Sequence, residues 1–396
     1  MSVTPSLGAV WIVFSKECRE SLRDRRVLLN ALVLGPLLTP LLVLAMIHLI
    51  VGRELEKAEK PLPVVVIGAQ YAPNFVAALR QQGMEPRPAI ADPELAVREQ
   101  RADLVLRIDA RFAQDWDAGR PAQVEILYDS SRQEEQGSTQ RLQGMIENYT
   151  RRTGALRLLA RGLSPALGAP VIIAPRDQAT PQARGALIMG MLPYFLTLTA
   201  LLGGMWLAID ATAGERERQS IEPLLINPVP RYQILLGKHL ATALFSMASL
   251  TLGLLAFVAV GHLLPDAAGL GTVIGARFLL VSLPVMAPLV LLISIAQLWL
   301  ASFARSFREA QTYLGLAQLV PLVPSFWLMF APMRPQLWMS AIPLFSQQLT
   351  ILRLLRGEPV SALAIGLGAM ATLATTGLLF WLGLRVYRAE RVAIAG

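Results

Sequence analysis

Six stretches of this chain contain no charged side chain, and that emptiness decides what the chain can fold into. They are Val27–Val51, Ala186–Ile209, Leu240–Leu264, Phe278–Ser302, Tyr313–Ala331 and Ser361–Leu384, each 19 to 25 residues long. The sequence has 396 residues with 36 Lys and Arg and 28 Asp and Glu, so every charge is crowded into what remains. A helix needs roughly 17 to 25 apolar residues to cross a hydrocarbon core, and it satisfies its backbone polar groups internally. Soluble globular chains carry about 25% charged residues; this one has 16%, with a mean hydropathy of +0.48. The expected fold class is a polytopic α-helical membrane protein with six transmembrane helices. A disulfide scaffold is excluded, because Cys18 is the single cysteine.

Cationic segments resist translocation, so Lys and Arg near the span ends set the orientation. Lys16, Arg19, Arg23, Arg25 and Arg26 precede the first span, and Arg216, Arg218, Arg231 and Lys238 fill the 210–239 loop. Arg305 and Arg308 lie between spans four and five, and Arg385, Arg388 and Arg391 follow the last. The short loops on the other side hold only Arg277, Arg334, Arg353 and Arg356. Both termini therefore read as cytoplasmic, in a multi-pass protein of the plasma (inner) membrane. The net charge of +8 follows from this bias and needs no nucleic-acid partner. The first span is too long for the apolar region of a cleaved signal peptide and reads as an uncleaved anchor.

The expected organisation is an amphipathic elbow helix within 1–26, a first span at 27–51, and an α/β extracytoplasmic domain at 52–185 inserted between the first two spans. Spans at 186–209, 240–264, 278–302, 313–331 and 361–384 follow, with a cytoplasmic loop at 210–239 and a tail at 385–396. On the elbow, Leu7, Val10, Trp11, Phe14, Cys18 and Leu22 recur at helical spacing, as in a helix lying in the interface. In the inserted domain, strands are expected at 63–68, 103–108, 123–128 and 170–174, and helices at 73–82, 93–101 and 133–161. The 332–360 segment, with Pro332, Pro335 and Pro343, is expected to form one or two short re-entrant helices.

Catalytic chemistry is not legible. The inserted domain has no His, and the chain lacks G-x-S-x-G, H-E-x-x-H and any Cys/His cluster. Its one Gly-Lys pair, Gly237-Lys238, is followed by His239 and is not part of a P-loop. No catalytic residue, cofactor or metal site is expected in this chain. A membrane-embedded enzyme is correspondingly disfavoured.

The 210–239 loop is unusually patterned. Gly214-Glu215-Arg216-Glu217-Arg218 is dense in charge, Ser220 can cap a new helix in which Pro223 is the third residue, and Pro228 and Pro230 end it. Ile221, Leu224 and Leu225 would share one face of that helix, with Glu222 near its positive end. Exposed leucines there need a partner surface.

These residues resemble the type-2 exporter permeases of ATP-binding cassette (ABC) transporters. The likeness lies in Gly214-Glu215-Arg216-Glu217, Glu222-Pro223-Leu224-Leu225, Pro228-Val229-Pro230-Arg231 and Ile234-Leu235-Leu236-Gly237-Lys238, with Ile342-Pro343-Leu344-Phe345-Ser346-Gln347-Gln348 before the last span. The inserted domain and the charged elbow make the chain look most like the Nat-type sodium-efflux permease group. Two positions depart from the family pattern: Gln219-Ser220 stands where Gly-Thr is usual, and Pro223 where many relatives have no proline. The resemblance implies that Glu215, Glu217, Ser220, Ile221, Glu222, Leu224, Leu225, Pro228 and Arg231 couple the spans to a separate cytoplasmic ABC ATPase. That subunit would carry the ATP and Mg, and the membrane part would be completed by a second copy of the chain or a paralogous permease, surrounded by lipid.

Substrate is less legible. The span interiors offer hydroxyls and amides such as Thr39, Thr199, Ser249, Gln297 and Thr372, but no carboxylate. Sodium is thus implied by the resemblance alone, and an amphipathic drug, peptide or lipid-like substrate fits the same inventory. A reading of another class, a membrane sensor with an extracytoplasmic ligand-binding domain, lacks a cytoplasmic output domain.

Overall fold

The computed structural model describes residues 7–45, 49, 60–129, 133–168, 190–219, 229–263, 275–330 and 335–394. The expected strand at 170–174 and the loop segment 220–228 lie outside them. The chain divides into two units, Leu49–Asp177 and the remainder, Met1–His48 with Gln178–Gly396.

Helix α1 spans Leu7–Arg23, and a short turn, Arg25–Leu28, leads into α2, Leu29–Ala45. The packed face of α1 takes in Val10 and Cys18 of the apolar spacing and turns away from Trp11 and Leu22. Val10, Val13, Glu17, Cys18 and Ser21 are buried, whereas Trp11 and Leu22 of the predicted stripe are exposed, Trp11 to 66%. A carboxylate, Glu17, shares the packed face, beside Lys16 of the same helix and in the field of Lys238, as described below.

The smaller unit is an α/β layer structure. Strand β1 (Leu62–Ile67) is followed by α3 (Pro73–Gln81), β2 (Met84–Arg87), α4 (Pro93–Arg98), β3 (Val105–Ile108), α5 (Phe112–Asp117), β4 (Val124–Leu127) and α6 (Gln133–Ala160). The sheet order is β2-β1-β3-β4. β1 runs parallel to both β2 and β3, with Leu62 opposite Met84 and Val65 opposite Val105, while β4 is antiparallel to β3. Alternation along β1 explains the layers: Val64 and Val66 join Phe75, Leu79, Leu142 and Met145 on one face, while Val65 meets Ala96 and Val97 on the other. Strand β2 escapes sequence patterning because Met84-Glu85-Pro86-Arg87 has little strand propensity; it forms at the sheet edge, where Pro is tolerated.

In the larger unit α7 (Leu192–Ile209) continues through a π-helical turn, Asp210–Gly214, to Glu217. Then come α8 (Arg231–Leu263), α9 (Ala276–Ser302), α10 (Phe307–Ala317), α11 (Leu322–Phe330), α12 (Phe345–Leu355) and α13 (Ala362–Ile394). Among the described residues five stretches are long and apolar enough to cross a membrane: Leu192–Glu217, Arg231–Val260, Arg277–Ser302, Phe307–Phe330 and Ala362–Arg385. The described apolar helix α2, where the first span is expected, is shorter. The fold is that of a mostly helical, multi-pass membrane protein.

Small residues let these helices approach closely, the usual basis of packing where solvent is as apolar as the side chains. A Cβ on Gly203 would lie 2.3 Å from the Ser249 Cβ, and one on Gly204 the same distance from the Ser246 hydroxyl. Polar ties reinforce the contact of α7 with its neighbours. The Ser249 hydroxyl donates to the Thr199 carbonyl at 3.1 Å, and the Gln297 amide to the Leu201 carbonyl at 2.6 Å. At α12, buried Gln347 and Gln348 donate to the Thr372 hydroxyl at 2.8 Å and the Pro321 carbonyl at 3.0 Å. The conspicuous Ser346-Gln347-Gln348 sequence therefore fastens α12 to α13 and to the start of α11. His239, at the end of an apolar window, is packed between helices. Helix α8 begins well ahead of the apolar window, so His239 is buried, its Nδ1 3.0 Å from the Ser294 hydroxyl of α9.

Candidate functional site: a buried charge cluster at the base of the helices

The charged run after α7 is pinned residue by residue. The π-helical turn adds an extra residue, which swings the side chains beyond it by roughly 100° relative to a continuous α-helix. Beyond it, Glu215 is buried, 5% exposed, and its carboxylate accepts from Lys16 Nζ of α1 at 2.9 Å and from Lys238 Nζ of α8. Lys238 is 1% exposed and also donates to the Ala211 carbonyl at 2.5 Å. Glu17 completes the cluster, 3.3 Å from Lys16 Nζ and 3% exposed. Three helices thus meet around two ammonium groups and two carboxylates. Gly237 allows the approach, since a Cβ there would lie 2.7 Å from that of Val13.

The next residues turn elsewhere. Arg216 Nη1 donates to the Ala304 carbonyl at 3.0 Å, just past α9. The Glu217 carboxylate accepts from the Phe307 backbone N–H at 2.8 Å, at the start of α10, where a negative charge suits the helix dipole. Arg218 pairs with Asp210 at 2.9 Å.

The electrostatics of the α1 part follow from burial against pairing. Burial alone would lower the Lys16 pKa, but Glu17 and Glu215 outweigh it and hold it above its ordinary value. For Glu17 burial wins over Lys238 and Lys16, so its pKa is raised. Burial also raises that of the adjacent Cys18 thiol.

Of the sequence-derived coupling residues, Glu215 and Glu217 are brought to this base and Arg231 opens α8. Ser220, Ile221, Glu222, Leu224, Leu225 and Pro228 lie outside the described residues. Both flanks of the segment that contains them are fixed in this arrangement, by Glu215 on one side and Lys238 on the other. Sequence reading missed Lys16, Glu17 and Lys238 as site residues. The available signal was a lone Lys following Ile234-Leu235-Leu236-Gly237 and a Glu adjoining apolar positions. Among the described residues no group of His, Cys, Asp and Glu is arranged to hold a metal ion.

The spans and this charged base define a class, a multi-pass membrane protein whose helices are tied to a loop outside the apolar windows. A family model described as "ABC-2 family transporter protein" matches residues 31–385, and the chain belongs to that family. It is 28% identical over 373 residues to the "ABC transporter permease protein NatB" of Bacillus subtilis (strain 168), covering 91% of this chain and 94% of that protein. The chain is a membrane permease subunit of an ABC exporter.

Proposed function

We propose that this permease moves its substrate outward by a motion delivered through the 210–239 loop from a separate cytoplasmic ATPase subunit. In this reading six spans, the first including α2, lie in the inner membrane with both termini cytoplasmic and the α/β unit outside. The helix expected at 221–226 seats in the ATPase, which binds ATP and Mg, and a second copy or a paralogue completes the translocation path. The observation that carries the reading is the Lys16–Glu215–Lys238 cluster, with Glu215 and Lys238 buried and Lys16 part-exposed, because it joins both flanks of that loop to each other and through Glu215 to α1, and so gives a push on the loop a stiff route into the helices. Leu224→Asp should abolish transport and ATPase stimulation while leaving membrane insertion intact. Normal transport by that variant together with its ATPase would sink the assignment.

Sodium is the substrate that the resemblance to the Nat-type sodium-efflux permease group implies, and the outward direction is that of an efflux permease. A second reading, an amphipathic or lipid-like substrate, draws support from an apolar cavity of about 640 Å³ between α1, α8 and α9, lined by Val10, Trp11, Phe14, Leu244 and Met247. ATPase activity of the reconstituted complex separates them: stimulation by Na⁺ and not by amphiphiles favours sodium, and the reverse favours the second reading.

A further inference from the structure

The α/β unit contains a cleft that the transport reading does not use. Strand order β2-β1-β3-β4 places the chain reversal between β1 and β3, since β1 leads through α3 to one side and β2 leads through α4 back across to the other. The two connecting helices pack on opposite faces of the sheet. In such open parallel sheets the loops beyond the strand ends part at this point and leave a crevice, where ligands are received. A cavity of about 500 Å³ lies here, formed by residues just past β1 (Gly68, Gln70, Tyr71), just past β3 (Asp109) and around the start of β4 (Gln123, Glu125). Its size suits a small molecule.

The backbone is committed to this shape. Gly68 has φ +78°, and a Cβ there would stand 2.5 Å from the Ile108 carbonyl oxygen, so only glycine lets the β1 end lie against the β3 end.

The charges select the ligand. Among the described residues Arg107 is the one cation lining the cleft, and it is engaged by Glu125 at 3.2 Å and Glu94 at 3.7 Å. Asp109 uses one oxygen to accept the Arg111 N–H at 2.7 Å, which leaves acceptor capacity on its second oxygen. An anion would face more carboxylate than guanidinium. An ammonium group would find Asp109, the side-chain carbonyls of Gln70 and Gln123, and the half-exposed ring of Tyr71. We propose that this cleft is a binding site for a small polar solute bearing a protonated amine. The inference rests on the topology and chemistry of the α/β unit and not on the transport reading.

The test is calorimetric titration of the full-length protein in detergent with putrescine, with succinate as the acidic control. Saturable binding of putrescine and none of succinate is expected. Asp109→Asn keeps the oxygen that accepts from Arg111 and removes only the charge; it should weaken putrescine binding about tenfold or more, as loss of a charge-assisted hydrogen bond does. Should that variant melt below the wild type, Gln123→Ala on the other wall provides the second reading and should weaken binding severalfold. No putrescine binding at millimolar concentration, equal binding of succinate, or putrescine affinity unchanged in the intact variant would each overturn the proposal. Because no ATPase subunit is present, none of these results bears on coupling.

Discussion

Glu215 and Lys238 illustrate how a buried pair is held by what its loss would cost. Removing one partner of such a pair typically costs about 3–5 kcal/mol, because the other charge is left in a poorly solvating site, whereas replacing both with apolar groups is often nearly neutral. Glu215→Gln should therefore lower the melting temperature of the purified protein sharply. The double variant Glu215→Met with Lys238→Met should recover most of the loss; a single variant as stable as the wild type would show that the pair carries no such weight. Glu17 behaves in the opposite sense. Its pKa in the folded protein lies above the ordinary 4.5, so its favourable contribution is complete below that value and is lost as pH rises through the raised one. At pH 7 Glu17→Gln should be at least as stable as the wild type, and the gap should close as pH falls toward 4.5. A gap that widens on acidification would reverse the sign argued here.

The end of the α7 extension shows a family pattern acquiring a physical cause. Gln219 has φ +55°, a left-handed conformation that commonly terminates helices and that glycine adopts at no steric cost. The Gly that the resemblance leads one to expect at this place would suit the same geometry, and this chain carries a side chain there instead. Gln219→Gly should stabilise the protein by up to about 1 kcal/mol, the left-handed penalty being partly offset by the greater freedom of glycine in the unfolded chain. Thermal unfolding in detergent measures it, and a fall in melting temperature would contradict it. Other element-level features were legible in the sequence for equally concrete reasons. Absence of charge announced the long helices, and the β-branched run Val64-Val65-Val66 announced a strand buried on both faces. The packed face of α1 was legible only in part. Apolar spacing includes Val10 and Cys18, which pack, beside Trp11 and Leu22, which do not, and nothing local reveals that Glu17 lies in the field of Lys238, more than two hundred residues away.

For the molecule as a whole, the sequence announced the class of protein more clearly than the arrangement that serves it. Charge patterning pointed to a membrane protein, and a few loop motifs pointed to the transporter family. How the motifs work together depends on contacts between Lys16, Glu215 and Lys238, which arise only once α1, α7 and α8 are assembled. Of that cluster only Glu215 was singled out from the sequence. The substrate stayed illegible because the buried polar groups in the spans serve helix packing first, as Ser249 and Gln297 do.

Successive side chains on a helix point about 100° apart, so three in a row look nearly all the way round its axis. Glu215, Arg216 and Glu217 use that fact to grip three different neighbours, at α8 with α1, beyond α9, and at α10. The short helix is thus an axle with a spoke in each direction. It cannot roll or withdraw without releasing one of them, and a force applied to it is divided among several helices at once.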